Sequence, residues 1–426
     1  MKPSSYMSFA FALLLILGTC ISGHAQGDTV QVTCAELEKT FLEKNLLLLA
    51  QHYQVDADKA LIAQARLWDN PVLSTDQNVY TNKRFFQHGF NPDGSPRGQV
   101  FVQVEQLIQL GGKRAKNVAI ASTNATISEW QFNDLMRNLK LQLRSNYYTL
   151  IQTFNLAQLY REEDQHLTQL INGMSAQLQA GNIARKDLLR LQALQLTLHQ
   201  KISENDQQME DMESSLRTLL QAAPTSVYVP SEKMANKVTV PQLQEAIDSA
   251  LRNNPEYKIE NYRLQGEQQN LGLQKAMAIP DLTISPSYDQ NSNFAVNYWG
   301  LGLSIPLPVF NRNQGNIKSA RYQIKAQEAV LGNKSISLQN DVAAAYNKLL
   351  ALQRMNAGNQ DKFYLDYDAL YDNIVQSYKQ RQLSLVEFID YHQAYLDVMG
   401  QKSNLALQLQ LAKEELNFQS GTDLVK

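Results

Sequence analysis

Apolar residues recur at helical spacing over most of the chain and alternate with polar ones in a few short stretches. From Leu139, the positions Leu143, Tyr147, Leu150, Phe154 and Ala157 follow at intervals of three and four, and Leu188, Leu191, Leu194, Leu198 and Ile202 repeat the rhythm later. That spacing lines apolar side chains along one face of a helix. All 12 prolines fall outside residues 97–223 and 309–426, and proline-free stretches of such length favour long helices. Polar breaks at Gly181-Asn182 and Gln380-Arg381-Gln382 divide each stretch, which predicts two helical hairpins. An arm over 113–178 would run about 100 Å at ~1.5 Å per residue.

Between the helical stretches the period changes to two. Val100, Val102 and Val104 alternate with Gln103 and Glu105; Leu282, Ile284 and Tyr288 alternate with Thr283, Ser285 and Ser287; Trp299, Leu301, Leu303 and Ile305 alternate with Gly300, Gly302 and Ser304. These predict strands with one apolar and one polar or small face, as in membrane barrels. Residues 70–80 make a weaker fourth strand, with Leu73 and Val79 on the apolar side. Tyr80, Phe85, Phe86, Phe90, Tyr288, Phe294 and Tyr298 cluster near strand ends and loops, in the manner of an interfacial girdle. Four such strands cannot close a barrel alone, because an open edge in lipid leaves backbone groups unpaired, so this reading requires oligomerisation. An elongated coiled coil that never inserts would share the helical periodicity; it is the alternative from a different class.

The chain also repeats itself. LEKTFLEKN from Leu37, leading to NPVLSTDQNVY at Asn70, recurs as LQEAIDSALRNN from Leu243, leading to IPDLTISPSYDQ at Ile279. GNIARKDLLRL at Gly181 matches RQLSLVEFIDY at Arg381, with Ile183 opposite Leu383 and Asp187 opposite Glu387. Each half reads as helix, two strands and a long helical hairpin, giving repeats over 26–238 and 239–426. Residues 1–25, with Lys2, an apolar run from Phe9 to Leu17 and Gly23-His24-Ala25, read as a secretory signal. Leu17-Gly18-Thr19-Cys20 also resembles a lipoprotein box that would leave Cys20 acylated, and both processing routes stay open.

Composition narrows the chemistry. The 39 Lys and Arg against 41 Asp and Glu leave a net charge of −2, which argues against a nucleic-acid partner held by bulk electrostatics. The 2 cysteines, Cys20 and Cys34, leave no pair for an internal disulfide after either processing route. The 6 histidines include none at ligand spacing with another or with a cysteine, and no glycine-rich phosphate loop is present. No metal site, cofactor or catalytic constellation is therefore expected, and a periplasmic hydrolase is a poor fit.

The Pro71 and Pro280 strand openings, the QLGGKR turn at Gln109–Arg114 and the string GLSIPLPVFNRNQGNIKSA at Gly302–Ala320 resemble the TolC-like outer-membrane efflux proteins over essentially the whole mature chain. The last string looks most like the branch serving metal-exporting pumps, the CzcC-like and CusC-like proteins. The resemblance implies a mainly α fold with membrane β: a homotrimer whose four strands per chain close a twelve-stranded barrel in outer-membrane lipid, continued by a periplasmic helical tunnel. It implies a passive exit duct for metal cations, joined through a periplasmic adaptor to an inner-membrane pump of the RND type. Drugs or type I secretion substrates are the alternative cargo. Acidic residues at Glu387 and Asp390 would, by the same resemblance, form a pore gate at the closed periplasmic mouth. Ser384 and Glu387 also have the spacing of a capping box, which needs no pore. Gly181, Asn182, Ile183 and Ala184 at the first tip, with Gln382, Leu383, Ser384 and Leu385 at the second, are the candidate adaptor contacts; Gly181 alone also fits a simple helix end.

Overall fold

The computed structural model describes residues 29–81, 83–234, 238–356 and 360–425, so the expected signal segment and Cys20 lie outside the described residues. The chain runs β1 (Thr29–Val32), α1 (Cys34–Lys44), α2 (Leu46–Ala65), β2 (Val72–Gln77), the short strands β3 (Tyr80–Thr81) and β4 (Arg84–Phe85), and β5 (Val100–Ile108). Helices α3 (Lys113–Gln179) and α4 (Arg185–Leu220) follow, then β6 (Val227–Pro230), α5 (Leu243–Asn253) and α6 (Pro255–Met277). The remainder is β7 (Leu282–Asn291), β8 (Val296–Ser304), α7 (Gln314–Asn356), α8 (Gln360–Lys379) and α9 (Leu385–Ser420). Both hairpins and all four anticipated strands are present. The parallel pair of β1 with β6 was not anticipated; it joins residues about two hundred apart, and Tyr147 Oη donates to Val32 O at 2.9 Å to seat β1 against α3.

The duplication is visible in matched backbone devices. Asn45 separates α1 from α2 with φ −67° and ψ 116°, and Asn254 separates α5 from α6 with φ −64° and ψ 119°. Both are buried. Asn45 Nδ2 donates to Leu219 O at the end of α4, and Asn254 Nδ2 donates to Gln419 O at the end of α9. Each amide thus satisfies a helix-terminal carbonyl that has no intrahelical donor. Helices α4 and α9 then end in left-handed residues, Gln221 (φ 53°) and Gly421 (φ 72°).

The chain forms two compact units. One is Met1–Asn45, Gln142–Lys237 and Met355–Leu411; the other is Leu46–Leu141, Val238–Arg354 and Ala412–Lys426. The first, a helical unit, is organised by the apolar helical stripes. Leu167, Leu170, Leu191, Leu194, Leu198, Tyr371, Val375, Phe388 and Leu396 form one buried cluster. The second, the sheet unit, contains the antiparallel sheet β2-β5-β7-β8. There the QLGGKR segment makes the turn from β5 into α3. Gly111 and Gly112 are left-handed (φ 69° and 70°), and a Cβ on Gly111 would stand 2.9 Å from Ile279 Cδ1. Lys113 Nζ donates to Ile279 O and Asp281 Oδ1, both at 2.7 Å, while Leu110 N donates to the same carboxylate. After β8, Pro306 and Pro308 end the pairing, and Asn313 (φ 58°) takes the left-handed position before α7.

Candidate functional site: the sheet and the hairpin ends

Residues directly opposite one another in an antiparallel pair project to the same face. Leu73 lies opposite Val104, Val102 opposite Tyr288, Tyr288 opposite Trp299, Pro286 opposite Leu301 and Ile284 opposite Leu303. The other face pairs Ser74 with Gln103, Gln103 with Ser287, Ser287 with Gly300 and Ser285 with Gly302. One side of the sheet is therefore mainly apolar, with Thr75 and Gln106 among its residues, and the other mainly polar or small, with Phe101 and Leu107 toward its ends. The apolar residues are uncovered in the chain: Trp299 is 76% exposed, Leu301 68% and Leu303 66%. Strands β2 and β8 each have one neighbour, so the sheet has two open edges among the described residues.

At one end of this sheet, the β2–β5 connection and the β7–β8 turn carry exposed Tyr80, Phe85, Phe86, Phe90, Phe294 and Tyr298, with Tyr80 and Phe85 rings 4.7 Å apart. The other end carries a second apolar belt, in which Ile305 continues the strand alternation and Leu67, Trp68, Leu307 and Phe310 lie beyond it, all exposed. Arg114 lies over the Trp68 ring at 3.9 Å. An apolar band between an aromatic belt and a second apolar one is what a transmembrane barrel wall presents to lipid, and β5 and β8, 9 residues each, suit its tilted span at ~3.3 Å per residue.

In the helical unit the two hairpin turns have the same design. Helix α3 ends with Asn182 N donating to Gln177 O and Gly181 N to Leu178 O, Gly181 being left-handed at φ 73°. Helix α8 ends with Gln382 N donating to Ser377 O and Arg381 N to Tyr378 O, Arg381 being left-handed at φ 60°. This six-to-one bond around a left-handed residue closes the last carbonyls of a helix. Arg381 Nη2 also donates to Gln177 Oε1 at 2.9 Å, tying the two turns together.

The starts of the return helices differ. Ala184 precedes α4 without a side-chain cap. Before α9, Ser384 N and Oγ donate to Glu387 Oε2 at 3.0 and 2.6 Å, and Glu387 N donates back to Ser384 Oγ at 3.3 Å. The capping box is thus formed, and the Ser384 side-chain and backbone donors hold the Glu387 carboxyl below its ordinary range. Asp390, one turn on, is exposed. Of the tip residues, Gly181, Asn182, Ala184, Gln382 and Ser384 are exposed and Ile183 is half-buried. Leu383 and Leu385 turn inward and pack against the buried cluster.

That cluster holds a polar group which spacing along the sequence did not reveal. His392 is fully buried; its Nδ1 is 2.6 Å from Tyr371 Oη and 3.4 Å from Glu163 Oε2, while Tyr371 Oη donates to Glu163 Oε2 at 2.6 Å. His392 is an interhelical residue between α3, α8 and α9. Its partners lie 229 and 21 positions away by subtraction, so only the fold joins them. Among the described residues, no group of three or more His, Cys, Asp and Glu stands close enough to hold a metal ion, and no helix is long and apolar enough to cross a membrane.

A two-faced sheet left open by its own chain, together with duplicated long helical hairpins, marks a channel-forming class. Residues 37–221 and 246–422 match the outer membrane efflux protein family, and the chain belongs to it. It is 25% identical over 308 residues to the cobalt-zinc-cadmium resistance protein CzcC of Cupriavidus metallidurans, spanning 72% of this chain and 70% of that one. Its fold is similar to CusC, a protein studied for transmembrane channel formation, with TM-score 0.74 at 15% identity over 93% and 94% of the two chains. It is also similar to the outer membrane protein VceC of Vibrio cholerae, with TM-score 0.73 at 15% identity over 91% and 96%. The protein is an outer-membrane efflux channel and not an enzyme.

Proposed function

We propose that three copies close one twelve-stranded barrel and form the exit duct of a tripartite efflux system exporting metal cations. The observation that carries this reading is the strand register, which puts Val104, Tyr288, Trp299, Leu301 and Leu303 on one face of a sheet with two open edges. Unpaired edges are not tolerated in lipid, so copies must complete one another. Two copies would supply about eight strands, whose interior side chains fill; a conducting lumen needs more, and three copies are the next closed ring. The polar face of Ser, Gly and Gln would then line the water-filled side.

The hairpin turns are the docking ends for a periplasmic adaptor, which links the duct to an inner-membrane pump of the RND type. The exposed Gly181, Asn182, Ala184, Gln382 and Ser384 make that contact, with Ile183; Leu383 and Leu385 hold the turn from inside. Glu387 and Asp390 are three apart on one helix face, and their repetition in three copies makes acidic rings that favour cations. Glu387 combines this with its cap. Metal cargo is supported by the resemblance of the chain to CzcC, and drug or protein cargo is the competing reading.

Planar-bilayer recordings of the detergent-purified protein test the duct and the rings together. A conducting trimer whose cation selectivity falls in the Glu387→Gln, Asp390→Asn double variant supports both. A trimer with unchanged selectivity leaves Glu387 as a cap only, and a non-conducting monomer or dimer removes the duct. Loss of cobalt, zinc and cadmium tolerance on deletion of the gene, with drug tolerance intact, supports metal cargo; the reverse pattern refutes it.

A further inference from the structure

All four long strands join their helices at one end of the sheet, through the α2–β2, β5–α3, α6–β7 and β8–α7 connections. In an outer-membrane channel with a periplasmic tunnel, that end meets the periplasmic leaflet. It is basic as well as apolar. From Gln106 to Ser128 the chain carries Lys113, Arg114 and Lys116 and no acid; from Gln290 to Gln327 it carries Arg312, Lys318, Arg321 and Lys325 and no acid. The acids beside this end are engaged or turned away. Asp281 Oδ1 accepts from Lys113 Nζ and Leu110 N, and Asp69 Oδ2 accepts from Gln109 Nε2 at 2.9 Å. Glu105 shares the polar face of the sheet with Gln103, to which it is hydrogen-bonded.

Two of the cations are held in place without an acid. Arg114 lies 3.9 Å from the centre of the Trp68 ring, and Trp68 itself is 58% exposed. An approach that close is face to face, so the in-plane N–H donors stay available for a planar or phosphate acceptor. The Lys116 side chain crosses Gly272 of α6 and returns over Gly112, since a Cβ at those glycines would stand 3.8 Å from Lys116 Cε and 3.7 Å from its Nζ. Its ammonium therefore sits at the turn where β5 enters α3. Neither Arg114 nor Lys116 forms an ion pair among the described residues. A second copy closing the β2 edge with its own β8 would bring the segment after β8 to this place, and that segment adds cations only.

We propose that Arg114, set over Trp68, and Lys116 form a headgroup site for an anionic glycerophospholipid of the periplasmic leaflet. The guanidinium and the ammonium take the phosphate, and Leu67 and Trp68 lie against the start of the acyl chains. Guanidinium binds phosphate through paired N–H donors and lysine adds a point charge, while tryptophan belongs at the boundary between headgroups and hydrocarbon. Trp68 follows α2 and Arg114 opens α3, so a lipid in this site braces the two helices where the helices give way to the sheet. The site rests on the sheet standing in lipid, as the proposed duct requires.

Native mass spectrometry of the full chain tests the headgroup preference. The protein is released from detergent micelles holding equal amounts of phosphatidylglycerol and phosphatidylcholine of one acyl composition, and the ratio of bound lipids is read. A cation beside an anionic headgroup is worth about fivefold in occupancy, so phosphatidylglycerol should be favoured at least about fivefold, and the ratio should fall towards one in the Arg114→Gln, Lys116→Gln double variant. Excess glycerol 3-phosphate should leave the bound lipid in place. The position is read by refolding a Trp130→Phe, Trp299→Phe chain, whose one remaining tryptophan is Trp68, into vesicles. Brominated phosphatidylglycerol should quench Trp68 more strongly than brominated phosphatidylcholine. An even ratio in the wild type, an unchanged ratio in the double variant, or displacement of the lipid by glycerol 3-phosphate overturns the proposal. The wild-type ratio needs no variant, so a substituted chain that fails to fold leaves the test intact. Equal quenching by both lipids overturns the headgroup site alone, whereas quenching by neither overturns it together with the placement of the sheet in lipid.

Discussion

Leu301→Arg is the substitution that most directly interrogates the membrane face. Leu301 stands near the middle of β8, opposite Pro286, with its side chain 68% exposed on the apolar side of the sheet. In water such a position is among the most tolerant on a protein, and arginine there would change stability by less than ~0.5 kcal/mol. At the midplane of a bilayer an outward arginine costs about 2–4 kcal/mol. In a barrel of three copies the cost recurs three times, about 6–12 kcal/mol, comparable with the whole ~5–15 kcal/mol stability of an ordinary folded domain. Ser285→Arg is the control, since Ser285 lies on the opposite face beside Gly302. The assay is the fraction of heat-modifiable trimer in the outer-membrane fraction, followed by the denaturant midpoint of protein refolded into lipid vesicles. Leu301→Arg should lose most of the trimer while Ser285→Arg keeps it. Equal behaviour of the two variants would refute the assignment of faces, and a fully soluble, folded Leu301→Arg chain would favour the non-inserting coiled coil.

Other substitutions test the helical parts. Gly421 is left-handed, and a Cβ there would lie 2.7 Å from Asn253 C and 2.8 Å from Asn254 N, both backbone atoms; Gly421→Ala should cost on the order of 2–3 kcal/mol in thermal unfolding. Gly181 has a similar φ but open space around it, so Gly181→Ala should cost only about 1 kcal/mol, and a larger loss would mean the tip is packed in the assembly. Ser384→Ala removes the cap of α9 and should cost about 1 kcal/mol, read as faster hydrogen exchange over residues 385–388. The Glu163 carboxyl is held below its ordinary value of 4.5, so its contribution is present above that pH and lost as pH falls through the folded value. Acid unfolding of the helical unit should thus begin below about pH 4.5, and Glu163→Gln should flatten that limb while lowering stability at pH 7; an unchanged acid limb would contradict the buried carboxylate.

Much of this architecture is legible in the residue pattern. The strand alternation around Val102, Ile284 and Leu301 predicts the two faces because side chains in a strand have period two and lipid selects one parity. The hairpin breaks are legible because a left-handed residue is needed to turn a helix end, and Gly181 advertises one; Arg381 does so only through its repeat partner. The second apolar belt, Leu67-Trp68 with Leu307 and Phe310, does not stand out in the pattern, since those residues flank the strands instead of alternating within them. The pairing of β1 with β6 is not legible, because four-residue strands lack a periodic signal of their own and parallel pairing joins distant segments.

Local order in this protein was determined by the sequence itself: helix length from proline placement, strand faces from parity, the α9 cap from Ser384 and Glu387, and the duplication from matched strings. The strand faces and the cap depend on neighbours within a turn or two, where backbone geometry is the same in any fold, and the helix lengths and the duplication are read directly from residue placement along the chain. Tertiary structure alone decided the rest. It buried His392 between Glu163 and Tyr371, turned Leu383 and Leu385 inward while leaving Gln382 exposed, and used Asn45 and Asn254 to close distant helix ends. Those outcomes depend on which surfaces meet across long separations, where desolvation and hydrogen-bond matching set the energy and spacing along the chain carries no information.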